Sequence, residues 1–157
     1  MAEAFFQPTG TIVQTMVDSI SSEVRSRIMG LIRGRNTRPE IYVRRILHAA
    51  GYRFRVHRKD LPGRPDIVLP KYWTAVFING CFWHGHDCRR GKRPSSNTEF
   101  WAEKIDRTMG RDRRNSEALT AAGWRVVTIW ECRLEADTDA LLADLADVSG
   151  RATVLSS

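Results

Sequence analysis

Residues 66–79 read DIVLPKYWTAVFIN, and the two apolar runs in this stretch decide the fold class. Each run is short and rich in branched or aromatic side chains. That predicts two buried strands, 66–69 and 74–79, joined around Pro70, Lys71 and Tyr72. Asp66 then opens one strand and Asn79 closes its neighbour. Just upstream, residues 52–56 alternate Tyr52, Phe54 and Val56 with Arg53 and Arg55, the period of a half-exposed strand with a basic outer face. WRVVTIW at 124–130 is the strongest strand signal in the chain.

Helical spacing surrounds these strands. Val24, Ile28, Leu31 and Ile32 predict a helix over 22–33, capped by Ser21 or Ser22. A second follows, with Thr37 as cap, Pro39 in its first turn and Gly51 at its end. A long helix runs from Asn97 or Thr98, bends at Gly110 and stops at Gly123, and a last one covers 137–148. The order helix, helix, three strands, helix, strand, helix predicts an α/β fold, a mixed β-sheet flanked by α-helices.

At 157 residues the chain is sized for one domain. We expect an arm over 1–21, the domain proper over 22–150 and a tail over 151–157. Apolar runs of strand length leave nothing to span a bilayer, and the first residues lack a cationic leader, so the expected location is the cytoplasm, with no membrane partner. The net charge of +7 points to a polyanionic partner. Basic residues crowd 25–64 and 89–114, whereas Glu135, Asp137, Asp139, Asp144 and Asp147 make the C-terminal segment acidic, so DNA contact belongs to the former.

The segment NGCFWHGHDC, residues 79–88, holds two of the three cysteines and two histidines. With Cys132 at the end of the last strand, Cys81, His86 and Cys88 make four ligands suited to closed tetrahedral zinc. His84 competes with His86 for that role, Asp87 less so, and three buried free thiols are the plain alternative. Only one imidazole completes the shell, which releases the other histidine for chemistry.

LPGRPDIV at 61–68, VFINGCFWHGHDC at 76–88, TEFWAEKI at 98–105, RDRR at 111–114 and GWRVVTIWEC at 123–132 together closely resemble the very-short-patch repair endonucleases. These bacterial enzymes nick DNA beside a thymine mispaired with guanine. The likeness runs from RSRIMGLI at 25–32 through Cys132 and omits the arm and the acidic tail. It implies a restriction-endonuclease-like fold, structural Zn2+ on Cys81, His86, Cys88 and Cys132, and catalytic Mg2+ on Asp66 and the main-chain carbonyl of Ile78. His84 would be the general base, and Glu40 would support the hydrated metal. Double-stranded DNA with a T:G mismatch is the implied partner, acted on by a monomer in or near the nucleoid, with a functional link to a cytosine-5 DNA methyltransferase.

Further roles follow by the same resemblance. Phe82 and Trp83 would wedge into the duplex from the major-groove side, with Met29 approaching from the minor groove. Trp101 and Lys104 would form a sequence-reading face. The competing reading places Phe82 and Trp83 in the core beside the zinc and Trp101 in the core as well, where Trp73, Trp124 and Trp130 are also expected. Arg89, Arg90, Lys92, Arg93, Arg111, Arg113 and Arg114 are phosphate-contact candidates as a group. His48 and His57 carry no comparable signal.

The chain departs from the family pattern at Asn79, where a member of that family has a histidine two residues before its first zinc cysteine. Asparagine can donate to a phosphate oxygen but carries no titrating proton. We expect Asn79 to hold the phosphate while water of the hydrated magnesium protonates the leaving oxygen. The competing functions are a zinc-stabilised mismatch-binding module with a degenerate active site, and a nickase of the same fold with another lesion or context preference.

Overall fold

A capping box starts the first helix of the computed structural model, which describes residues 35–154. Thr37 accepts from the Glu40 amide, and the Glu40 carboxylate reaches back to the Thr37 backbone N–H. This helix, α1, spans Arg38–Ala49 with Pro39 in its first turn and stops before Gly51, as its sequence predicts. The expected helix over 22–33, the arm before it, Met29 and residues 155–157 lie outside the described residues.

Four strands follow: β1 (Arg55–Val56), β2 (Ile67–Leu69), β3 (Thr74–Asn79) and β4 (Arg125–Trp130). They form one mixed sheet in the order β1-β2-β3-β4, antiparallel across the first two junctions and parallel between β3 and β4. A short 3-10 turn, Pro70–Tyr72, links β2 to β3. The parallel step requires a long crossover, which the metal-rich segment and α2 (Thr98–Ala121) supply. α2 continues through Gly110 without interruption.

One core forms where Val43 and Leu47 of α1 meet Ile67, Leu69, Val76 and Ile129 of the sheet. Leu141 and Leu145 of α3, Leu134–Val154, complete it. Val68 and Ala75 point to the other face and are also fully buried, so β2 and β3 are covered on both sides. This double coverage accounts for the uninterrupted apolar runs that mark these strands in the sequence.

Three expectations change. The strand at 52–56 shrinks to Arg55–Val56, because only these two residues pair with β2, opposite Val68 and Ile67. Tyr52 and Phe54 still pack on the core. The last helix begins at Leu134 rather than 137, because the 3-10 turn Glu131–Arg133 runs directly into it. Asp137, inside α3, accepts from the Trp130 amide at 3.0 Å and ties the helix to the end of β4. Trp73, expected in the core, is 59% exposed. It sits left-handed after the Pro70–Tyr72 turn and packs at a tilt against Trp124 instead.

Candidate active site and metal centre

The parallel β3–β4 pair delivers two clusters to one end of the sheet. In the first, Cys81 and Cys88 approach Cys132, which follows β4, and His86 Nδ1 lies 3.4 Å from the Cys132 sulfur. The four donor atoms of Cys81, His86, Cys88 and Cys132 all lie within 4.8 Å of one another, and His84 and Asp87 are not among them. The His86 ring stacks on Trp130 at 4.1 Å, which fixes its plane. Main-chain bonds from His86 to Cys81 and from Cys88 to His86 close the loop tightly. Gly91 makes this possible: a Cβ there would stand 1.8 Å from the His86 carbonyl oxygen.

Burial pushes the Cys81 thiol up to about 12 and raises Cys132 as well. Cys88 moves the other way against desolvation, because the Gly91 N–H, the Cys81 thiol and the Arg90 N–H stabilise its thiolate. Three thiols this close, around an imidazole nitrogen, form a soft donor set that a cation would organise.

The second cluster lies in a cleft of about 1290 Å³. Asp66, one residue before β2, accepts from the Ile78 amide at 2.7 Å across the antiparallel junction. The residue expected to offer its carbonyl thus also holds the carboxylate through its N–H. Burial raises Asp66 to about 6; the Ile78 bond opposes the rise, and nearby Glu40 adds to it. Asp66, Glu40 and His57 bring one donor atom each to within 4.8 Å of the others, the second group among the described residues that could hold a metal.

Glu40 is 3% exposed, and both its oxygens are engaged. One takes Thr37, and the other takes the Asn36 amide at 3.0 Å and Arg44 at 2.7 Å. His57, which the sequence did not single out, stands with Nε2 3.1 Å from the Arg44 guanidinium. Its pKa is held below the ordinary value, by burial first and by Arg44 second.

His84 lines the same cleft with Asn79. Its Nδ1 meets Asp112 Oδ2 of α2 at 2.5 Å. Asp112 is the second participant missed at the sequence level, hidden in an arginine-rich run. The carboxylate accepts from Nδ1, and in the neutral ring this leaves the lone pair on Nε2. Gly85 brings the loop against α2 at φ +62°, where a Cβ would fall 2.5 Å from the Met109 sulfur and 2.9 Å from Ile105.

The aromatic residues divide. Phe82 is 5% and Trp101 1% exposed, packed edge-on at 5.3 Å, so neither offers a free face to solvent. α2 supplies the third surface that captures Phe82, a partner invisible from the loop's own sequence. Trp83 is half-buried at the cleft, and Lys104 places its ammonium 5.7 Å from the Trp83 ring. The exposed aromatic beside Lys104 is Phe100, at 54%.

Arg35, Arg38, Lys59, Arg64, Lys104 and Arg111 surround this acidic floor. A basic rim over carboxylates and an oriented imidazole suits a polyanion whose phosphate is to be attacked.

The family model described as DNA mismatch endonuclease Vsr matches residues 17–90. Type II nicking enzyme V.XorIIP of Xanthomonas oryzae pv. oryzae is 50% identical over 133 residues, 85% of this chain and 97% of that protein. Type II nicking enzyme V.NmeAIP of Neisseria meningitidis serogroup A is 46% identical over 120 residues, 76% of this chain and 86% of its own. DNA mismatch endonuclease Vsr of Escherichia coli K12 is 44% identical over 119 residues, 76% of each chain.

Proposed function

The chain belongs to the DNA mismatch endonuclease Vsr family and is a DNA endonuclease, and from that premise we propose that it nicks one strand of duplex DNA 5′ to the mispaired thymine of a T:G pair. The reaction is magnesium-dependent phosphodiester hydrolysis, the opening step of very-short-patch repair. One observation carries the reading: His84, held through Nδ1 by Asp112, shares a basic-rimmed cleft with the Asp66–Ile78 pair.

His84 Nε2 takes the proton of the attacking water, and Asp112 stabilises the imidazolium that results. Asp66 and the Ile78 carbonyl would hold the cation, and Glu40 beside them would support it. Hard oxygen donors with a second carboxylate beside them fit magnesium, which when bound would neutralise charge on the scissile phosphate. Asn79 donates its side-chain N–H to a phosphate oxygen. Cys81, His86, Cys88 and Cys132 would hold structural zinc, to which their sulfur-rich donor set is suited. Trp83, Lys104 and the rim arginines engage the duplex. Phe82 backs Trp83 and joins a wedge only if it leaves Trp101. The mixed sheet, with Asp66 at the mouth of β2, is consistent with a restriction-endonuclease-like core.

Nicking of a T:G duplex in magnesium, compared between the native chain and Asp66→Ala, tests the proposal. The native chain should nick, and the variant should bind the mismatch without nicking. Binding by the native chain without magnesium-dependent cleavage would instead identify a zinc-stabilised binding module. Substrates covering all mismatches in varied contexts test the T:G preference.

A further inference from the structure

Arg44 lies one helical turn beyond Glu40 on α1, its side chain 15% exposed. One guanidinium nitrogen, Nη2, contacts Glu40 Oε2 at 2.7 Å and His57 Nε2 at 3.1 Å. The other, Nη1, donates to Asn36 Oδ1 at 2.7 Å. The buried Arg44 Nε has no acceptor among the described residues.

These contacts constrain His57. Arginine only donates, so Nε2 of His57 must be the accepting nitrogen, and a neutral imidazole has a single lone pair for that purpose. A metal ligated through His57 Nε2 would need the same lone pair. At Glu40 the conflict repeats, because Oε2 already takes both the Asn36 amide and Arg44. The left-handed backbone of His57 is a conformation a non-glycine residue adopts at a cost, and it holds the ring beside Glu40 and Asp66. Arg44 thus places positive charge among three potential ligand groups, while one of its own donors goes unsatisfied.

We propose that Glu40, His57 and Asp66 form one divalent-cation site in which Arg44 is the resident cation, and that an entering divalent ion displaces the guanidinium from Glu40 and His57. This rests on the assignment of Asp66 as a metal-holding residue. It adds His57 to the site and gives Arg44 a role opposed to metal entry. Without a divalent ion, the arginine keeps the carboxylates from repelling one another; with one, it is redundant.

Mn2+ binding to the zinc-loaded full chain, followed by electron paramagnetic resonance and corrected by Asp66→Ala, tests this without reference to cleavage. Arg44→Met removes the competing charge and should tighten Asp66-dependent Mn2+ binding about tenfold, the scale of one charge-assisted hydrogen bond. Arg44→Gln, which keeps a donor but no charge, should shift it in the same direction. His57→Ala should weaken it. Unchanged or weaker binding in both Arg44 variants would overturn the displacement while leaving Asp66 as the metal residue. No Asp66-dependent binding in any variant would overturn both readings.

The unaltered chain supplies an independent readout. Mg2+ should shift the His57 ring 15N resonances as the Arg44 bond is released, and an unmoved signal under saturating Mg2+ would overturn the proposal even if neither Arg44 variant folds.

Discussion

His84 and Asp112 meet at 2.5 Å across 28 positions of sequence, joining the metal-rich loop to the middle of α2. The contact selects one imidazole tautomer. Asp112→Asn can present its amide N–H to Nδ1, turning that nitrogen into the acceptor and blocking Nε2 with a proton. Single-turnover nicking should then fall by about 10²-fold or more, with mismatch affinity nearly unchanged. His84→Ala should lose a similar factor. The double variant should lose little beyond the worse single, since the two residues act as a unit. Full additivity in that cycle would exclude the coupling.

Asp66 yields a pH prediction. Its folded pKa of about 6 exceeds the ordinary carboxylate value of 3.8, so between these values the native state binds more protons than the unfolded one. Stability from this group is therefore fully present below 3.8 and declines as pH rises through about 6. At neutral pH the ionised carboxylate costs on the order of 3 kcal/mol. Asp66→Asn should raise the melting temperature by several degrees at pH 7.5 without added magnesium, and by little at pH 3.5. Saturating magnesium should narrow the difference at pH 7.5.

The thiol cluster predicts metal content and its consequence. Purified chain should carry one zinc by elemental analysis. Cys81→Ser or Cys132→Ser should lose it, together with cooperative unfolding of the catalytic end of the sheet. Zinc on such a site contributes roughly 10 kcal/mol or more, comparable to the whole stability of a small domain. Retention of zinc and of the melting temperature in both variants would remove the site.

Gly85 gives a steric test. Gly85→Ala forces a Cβ toward Met109 and Ile105 in a left-handed conformation, at about 1–3 kcal/mol. Nicking should fall as His84 is levered from Asp112. Met109→Ala in the same chain should recover part of the rate by removing the nearer obstacle. The backbone strain would remain.

Local signals were readable wherever neighbours in sequence are neighbours in space. Thr37 and Glu40 announce the helix start at a spacing of three, and the branched runs of β2 and β3 announce strands covered on both faces. The cysteines were legible because a soft donor set is chemically distinctive. Contacts between distant segments were not. Asp112 looks like one charge among arginines until the fold lays it against His84. His57 acquires meaning only beside Arg44 and Glu40. Trp101 and Lys104 share a helical spacing that cannot say which side faces α2's neighbours, and the structure buries the indole while leaving the amine at the cleft. Trp73 fails as a core residue for the opposite reason, since a turn conformation rather than composition sends it outward.

His86, stacked on Trp130, and Cys132 just beyond that strand fasten the loop that also carries His84. The proposed base, His84, is therefore vulnerable at a distance. An oxidant that couples Cys88 to a small thiol would slacken the mooring, and the histidine, chemically untouched, would lose its aim. Cleavage that depends on His84 would thereby respond to the redox state of the cell through sulfur atoms outside the cleft that His84 lines.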